Sequence, residues 1–134
     1  MIWRLSRPTC LVIVALALTA ATGCGDERAQ VTGRVVRSDG EPVMEARVIA
    51  RSDNGKSAVG VTKEDGQFEL SSAEPGRGIE PGDYSVIIVE DRGRTDNMRP
   101  ATISAMYADP SLSGLTLSVQ AGESKEFDIT VDPL

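Results

Sequence analysis

The sequence predicts an all-β protein, a single sandwich of seven short strands. Three observations carry that expectation. Several runs alternate apolar and polar residues with a period of two, the pattern of a half-buried strand. Turns rich in Gly and Pro separate the runs, in a chain with 13 Gly and 7 Pro among 134 residues. No window sustains a 3.6-residue period for more than a turn or two, so helix is a minor component. The clearest stretch is Glu45 to Leu70, EARVIARSDNGKSAVGVTKEDGQFEL, whose three alternating runs are joined at Asp53-Asn54-Gly55 and Glu64-Asp65-Gly66.

The folded domain is expected over residues 31–134. In its first run, Val31 to Arg37, the residues Val31, Gly33 and Val35 share one face. Asp39-Gly40 with Pro42 then makes a turn. Met44, Ala46, Val48 and Ala50 are expected inward, and Glu45, Arg47, Ile49 and Arg51 mostly toward solvent. Asn54-Gly55 predicts a type I′ hairpin, which needs positive φ at both central positions. Ser57 to Lys63 follows with Val59 and Val61 as its core candidates, and beyond Asp65-Gly66 the inward residues are Phe68 and Leu70. Ser71 to Gly82 reads as loop. Asp83 to Val89, DYSVIIV, is the most apolar run. It places Tyr84, Val86 and Ile88 inward with Ile87 and Val89 apolar on the other face, which predicts a central strand. Leu115, Leu117 and Val119 define the sixth run. Phe127, Ile129 and Val131 define the seventh, after a turn at Ala121-Gly122.

The N-terminus has a separate logic. Met1 to Pro8 carries Arg4 and Arg7, and Cys10 to Ala21 is an uncharged apolar run of 12 residues. A membrane-spanning helix needs about 20. Length and flanks fit the apolar region of a secretory signal instead. Ala21-Thr22-Gly23 followed by Cys24 resembles the lipobox of bacterial lipoproteins, which ends in two small residues and a lipid-accepting Cys; Ala21 stands where Leu is usual. The resemblance implies removal of residues 1–23, acylation of Cys24, and a polar spacer over residues 24–30. More than one acyl chain gives stable anchoring. The protein is then exported and membrane-anchored, at the outer membrane or the periplasmic face, since Gly25 supplies no retention signal. The alternative is an ordinary signal peptide cut near Ala20 or Ala21.

Composition excludes several classes of chemistry. The chain has no His, so the commonest general base and neutral metal ligand are missing. A Ser-His-Asp site cannot be assembled. Its two cysteines are Cys10 and Cys24, so the expected domain has no thiol nucleophile, Cys zinc site or disulfide. Without Arg4 and Arg7, 12 basic side chains stand against 20 acidic ones, a surface that repels nucleic acid. Asp53-Asn54-Gly55 lacks the spaced ligands and closing Glu of a calcium loop. No metal or cofactor is expected, and no enzymatic activity.

Three segments together resemble carboxypeptidase regulatory-like domains. Val31-x-Gly33-x-Val35, Asp39-Gly40-x-Pro42-Val43 and Ala46-x-Val48 match the first two strands of that family. Thr62-Lys63-Glu64-Asp65-Gly66-Gln67-Phe68 is similar to its next hairpin, with Lys63 where Asp is usual. Pro81-Gly82-Asp83-Tyr84-Ser85-Val86 is similar to its P-G-x-Y-x-V strand. The resemblance implies a seven-stranded, transthyretin-like, Greek-key β-sandwich, of a kind that is usually a non-catalytic accessory or binding module.

Glu90 to Gly114 is a connection of 25 residues. Connections beyond about 12–15 residues tend to be functional or disordered. Its first half carries Arg92, Arg94 and Arg99 against Asp91 and Asp96; its second half carries Ile103, Met106, Tyr107 and Leu112. Two readings follow. Tyr107 and Met106 seal an open end of the sandwich, or Arg92, Arg94, Arg99 and Tyr107 form a recognition surface with Tyr107 as an exposed ring. The functional expectation is a lipid-anchored structural or protein-interaction module of the cell envelope, with the membrane and an envelope protein as partners. The competing expectation is a small-ligand or glycan carrier using the 90–114 loop.

Overall fold

A computed structural model describes residues 28–72 and 76–134. The signal segment and Cys24 lie outside the described residues. The described chain is all-β, with eight strands in two sheets and two single turns of 3-10 helix. The strands are β1 (Gln30–Arg37), β2 (Ala46–Arg51), β3 (Ser57–Val61), β4 (Gln67–Leu70), β5 (Gly82–Glu90), β6 (Leu115–Val119), β7 (Ser124–Glu126) and β8 (Ile129–Val131). One sheet is ordered β4-β1-β7, with β8 also on β1; the other is ordered β3-β2-β5-β6. The chain passes from one sheet to the other between β1 and β2, between β3 and β4, between β4 and β5, and between β6 and β7, which makes the expected Greek-key sandwich. β5 is central, as its two apolar faces require.

There are eight strands because the expected seventh is broken in two. β7 and β8 both run parallel to β1, at Gln30 to Thr32 and then at Val35 to Arg37. Between them Phe127 N–H donates to Thr32 O at 2.7 Å, and the Asp128 carboxylate, not a carbonyl, accepts from Arg34 N–H at 3.1 Å. This detour brings the Phe127 carbonyl against β1. A Cβ on Gly33 would lie 1.9 Å from that oxygen, so no side chain fits there. Phe127 itself is only partly buried, whereas Ile129 and Val131 are fully inside.

The core between the sheets is built from small aliphatic side chains, with Phe68, Tyr84 and Tyr107 as its rings. Val31, Val35, Ala46, Val48, Ala50, Leu70, Val86, Ile88, Leu117 and Val119 are buried as the alternation predicts. The Tyr84 hydroxyl donates to Glu80 O at 2.6 Å, which satisfies its polar end. Burial, with Glu80 nearby, holds its pKa above the ordinary tyrosine value.

Three expectations are corrected. Val59 and Val61 face solvent, Val61 being 58% exposed; the inward residues of β3 are Ala58 and Gly60. The reason is space. β4 crosses so close that a Cβ on Gly60 would meet the Glu69 carbonyl at 2.5 Å, so only small residues fit that face and the larger ones turn outward. Met44 is 52% exposed instead of inward. Glu45 has φ +54°, and this left-handed residue resets the alternation before Ala46. The Asn54-Gly55 turn is not type I′, since Gly55 has positive φ and Asn54 does not. Ser52 N–H donates to Lys56 O across a three-residue loop, the next commonest hairpin solution.

Phe68→Ala is expected to cost about 3–5 kcal/mol in denaturant unfolding. Val61→Thr on the outer face should change stability by less than about 0.5 kcal/mol. Equal losses at both positions would mean that the two faces are assigned the wrong way round.

Candidate functional site

The sandwich has two ends, and the long connection builds one of them. β1 and β5 end there, at Arg37 and Glu90, as does β8 at Val131, and β2 begins there at Ala46. The connection leaves β5, makes a 3-10 turn at Thr95–Asn97 and another at Ala105–Ala108, and returns to β6. Its second half seals the core. Ile103 is buried and bridges Pro133, while Tyr107 is only 6% exposed and its hydroxyl accepts from Asp132 N–H at 2.9 Å. Ser113 is also buried, and its hydroxyl donates to Val86 O at 2.7 Å. Met106 and Leu112 remain exposed, so the seal is made by Ile103 and Tyr107 and not by Met106.

The first half forms a lobe closed by one residue. Arg99 N–H donates to Arg92 O at 2.7 Å, and Arg92 Nε returns a bond to Arg99 O at 2.8 Å. The Arg99 guanidinium also donates to Asp91 O and pairs with the Glu45 carboxylate. Glu45 O in turn accepts from Asp91 N–H at 2.8 Å. Glu45 N–H also donates to Thr62 O at 3.1 Å, so the strained residue is held from three directions, which is how an unfavourable φ persists in a folded chain. Among the described residues it is the only non-glycine residue with positive φ.

Beside this clasp lie two cavities. One, of about 410 Å³, is lined by Arg37, Pro42, Met44, Asp91, Arg92 and Arg99 with their neighbours. The other, of about 320 Å³, is lined mainly by aliphatic residues, including Val89, Ala101, Ile103 and Leu134. Glu90 and Arg92 line both. The Asp39 carboxyl beyond the rim is held below its usual range, first by the Glu41 N–H and also by Arg37. A larger open groove, about 650 Å³, lies on the outer face of the first sheet near Thr32, Arg34, Gln67 and Asp128. Its Asp128 is already committed to the backbone of β1, so it offers less free chemistry. Among the described residues no three His, Cys, Asp or Glu side chains are grouped to hold a metal ion.

Of the residues singled out from the sequence, the structure brings Arg92 and Arg99 together. It places Arg94 on the exposed lobe tip, 92% accessible and beside Asp96 at 4.0 Å. It removes Tyr107 from the surface, so that ring is a core plug and not an exposed aromatic. Sequence reasoning missed Glu45, Met44 and Glu90. The only available signal was the interrupted alternation at Glu45, and an interruption of one residue has no sequence signature when the residue is not Gly or Asn. Tyr107→Phe is expected to cost about 0.5–1.5 kcal/mol, the net worth of one hydrogen bond. Tyr107→Ala should cost about 3–5 kcal/mol, as ring removal from a core does. A Tyr107→Ala protein as stable as the parent in denaturant titration would show that the ring seals nothing.

A search of the curated proteins returns no match. The family model described as the carboxypeptidase regulatory-like domain matches residues 30–132, from the first residue of β1 to the residue after β8. The chain therefore belongs to the carboxypeptidase regulatory-like domain family.

Proposed function

We propose that the protein is a non-catalytic, lipid-anchored module of the cell envelope that presents the clasp end of its sandwich to a partner protein. The observation that carries this reading is the polarity of the fold. Ala29 is fully buried and exchanges backbone hydrogen bonds with Ile79 at 2.8 and 2.9 Å, at the end opposite the clasp. Only four residues separate it from Cys24, so five Cα-to-Cα steps give a reach of at most about 18 Å. A lipid on Cys24 would hold that end near the membrane. β1 then runs for 8 residues, roughly 25 Å, toward the Arg92–Arg99 lobe. The lobe and both of its cavities stand on the end that faces away from the bilayer.

The chemistry supports a binding role over a catalytic one. The chain has no His, and its two cysteines precede the sandwich. The carboxylates at the clasp are engaged by Arg99, by Thr102 or by backbone N–H groups. The glycan-carrier alternative needs an exposed ring for stacking, and the burial of Tyr107 takes that ring away.

Cys24→Ala is expected to move the protein from the membrane fraction to the soluble fraction. A photo-crosslinking residue at Met98, on the lobe, should give a discrete adduct in intact cells, and one at Asn54, at the opposite end, should not. Unchanged fractionation would overturn the anchor. Adducts at neither position, or at Asn54 alone, would overturn the outward-facing interaction surface.

A further inference from the structure

The arginines around the lobe are not equivalent. Arg37 pairs with Asp39 at 3.1 Å, Arg94 stands beside Asp96, and Arg99 holds Glu45. Arg92 has no carboxylate partner among the described residues. Its Nε is spent on the Arg99 carbonyl, which fixes the plane of the guanidinium and leaves both terminal nitrogens without a protein acceptor. The side chain is half-buried, and it stands on the wall shared by the two cavities. A pre-oriented guanidinium fork favours a carboxylate, which it meets with two parallel hydrogen bonds.

What flanks the fork narrows the ligand. On one side is the aliphatic cavity, walled by Val89, Ala101, Ile103, Ala105, Ala108 and Leu134. At about 320 Å³ it lies at the lower limit of small-molecule sites, roughly 300–1,000 Å³. That is room for one side chain and its terminal group, and too little for a long acyl tail. Both cavities open to solvent, and the one with Pro42 and Met44, on the other side of the fork, leaves an exit for a chain. Glu90 shares the wall, with both oxygens already accepting from Thr102, and Glu41 stands at the rim. These two acids disfavour further acidic groups upstream.

We propose that Arg92 is the anchor of a carboxylate-binding site for the free C-terminus of a polypeptide that ends in an aliphatic residue. The terminal carboxylate meets the two free nitrogens of Arg92, and the last side chain fills the aliphatic cavity. The preceding residues leave over Pro42 and Met44. Recognition is local and not steered, because the chain carries a formal charge of −6 and repels acidic molecules at long range. This assignment rests on the reading of the clasp end as the partner-binding end.

The test uses the full chain, released from membranes in mild detergent, and fluorescently labelled hexapeptides ending in Leu, Val or Asp. Peptides ending in Leu or Val should bind, C-terminal amidation should weaken them at least tenfold, and the Asp-ended peptide should bind more weakly. Arg92→Gln should lose at least tenfold. Ala105→Phe, an exposed substitution at the cavity wall, should reduce binding of the Leu-ended peptide with the fold intact by circular dichroism. Equal binding of acid and amide, full affinity in Arg92→Gln, or absence of binding by any peptide would overturn the site. A medium-chain fatty acid that competes as well as the Leu-ended peptide would overturn the commitment to a polypeptide terminus. The crosslink from Met98 separates the two levels: an adduct that persists in Arg92→Gln removes this site and leaves the interaction module standing.

Discussion

β1 is flanked on both sides along nearly its whole length, and the fold depends on how closely its neighbours approach. β4 occupies one side through Val31 to Arg34, and β7 with β8 occupies the other. The tightest point is Gly33, beneath the Phe127 carbonyl and the Phe68 ring. A side chain there would push the last strand off β1. The parallel pairing that ties the end of the domain to its beginning would then open. Pairing Gln30 with Ser124 closes a loop of nearly the whole domain, which carries a large entropy cost that close contacts at β1 must offset. Gly33 is therefore a requirement of the sandwich and not a flexible joint.

A sandwich with two four-stranded sheets has two open sides, and this chain closes them by different means. On one side the chain itself crosses from β3 to β4, and Val59 exchanges backbone bonds with Ser71 at 3.0 and 3.1 Å. On the other side the chain crosses from β6 to β7 through the turn at residues 120–123, and no backbone ladder joins these two edge strands. There Lys125 reaches from β7 to donate to the Ser118 carbonyl of β6 at 2.7 Å, near the Ala29 end. A lysine at an edge also discourages pairing with another chain. Toward the clasp end the same gap is filled by Ile103 and Tyr107, with the backbone of Thr102 accepting from Leu134 N–H. The length of the connection is thus used twice. Its second half completes the core, and its first half is left over for the lobe.

The strands were readable because a period of two is imposed by backbone geometry, and most of the core residues follow it. What failed to be readable has a common cause. Val59, Val61 and Met44 are apolar residues placed outside by contacts with distant parts of the chain: β4 crowding Gly60, and Asp91 with Arg99 holding Glu45 in a left-handed conformation. Local alternation carries no information about such contacts. Tyr107 illustrates the same limit from the other side. As one aromatic in a polar connection it reads equally as a seal of the open end or as a surface ring, and only its packing against β5 and the Asp132 N–H decides for the seal. Arg92 and Arg99 were visible as charges, but their difference was not, because it lies in which acceptor each one found.

That difference is the physical basis for proposing Arg92 as a ligand anchor at the clasp end. Arg99 spends its hydrogen bonds inward, on Glu45, Asp91 and Arg92, and so stabilises a strained backbone. The strain at one left-handed residue is on the order of 1–3 kcal/mol, so it persists only if surrounding contacts outweigh it. A fold concerned with stability alone has no need of the arrangement, since Gly at that position would relieve the strain. Glu stands there with its carboxylate on Arg99, and the consequence is a lobe of fixed position with Arg92 held at its base. A rigid guanidinium loses less freedom on meeting a ligand than a mobile one does. The strain at Glu45 and the open fork of Arg92 are therefore two ends of one device: the first is the cost of positioning the second.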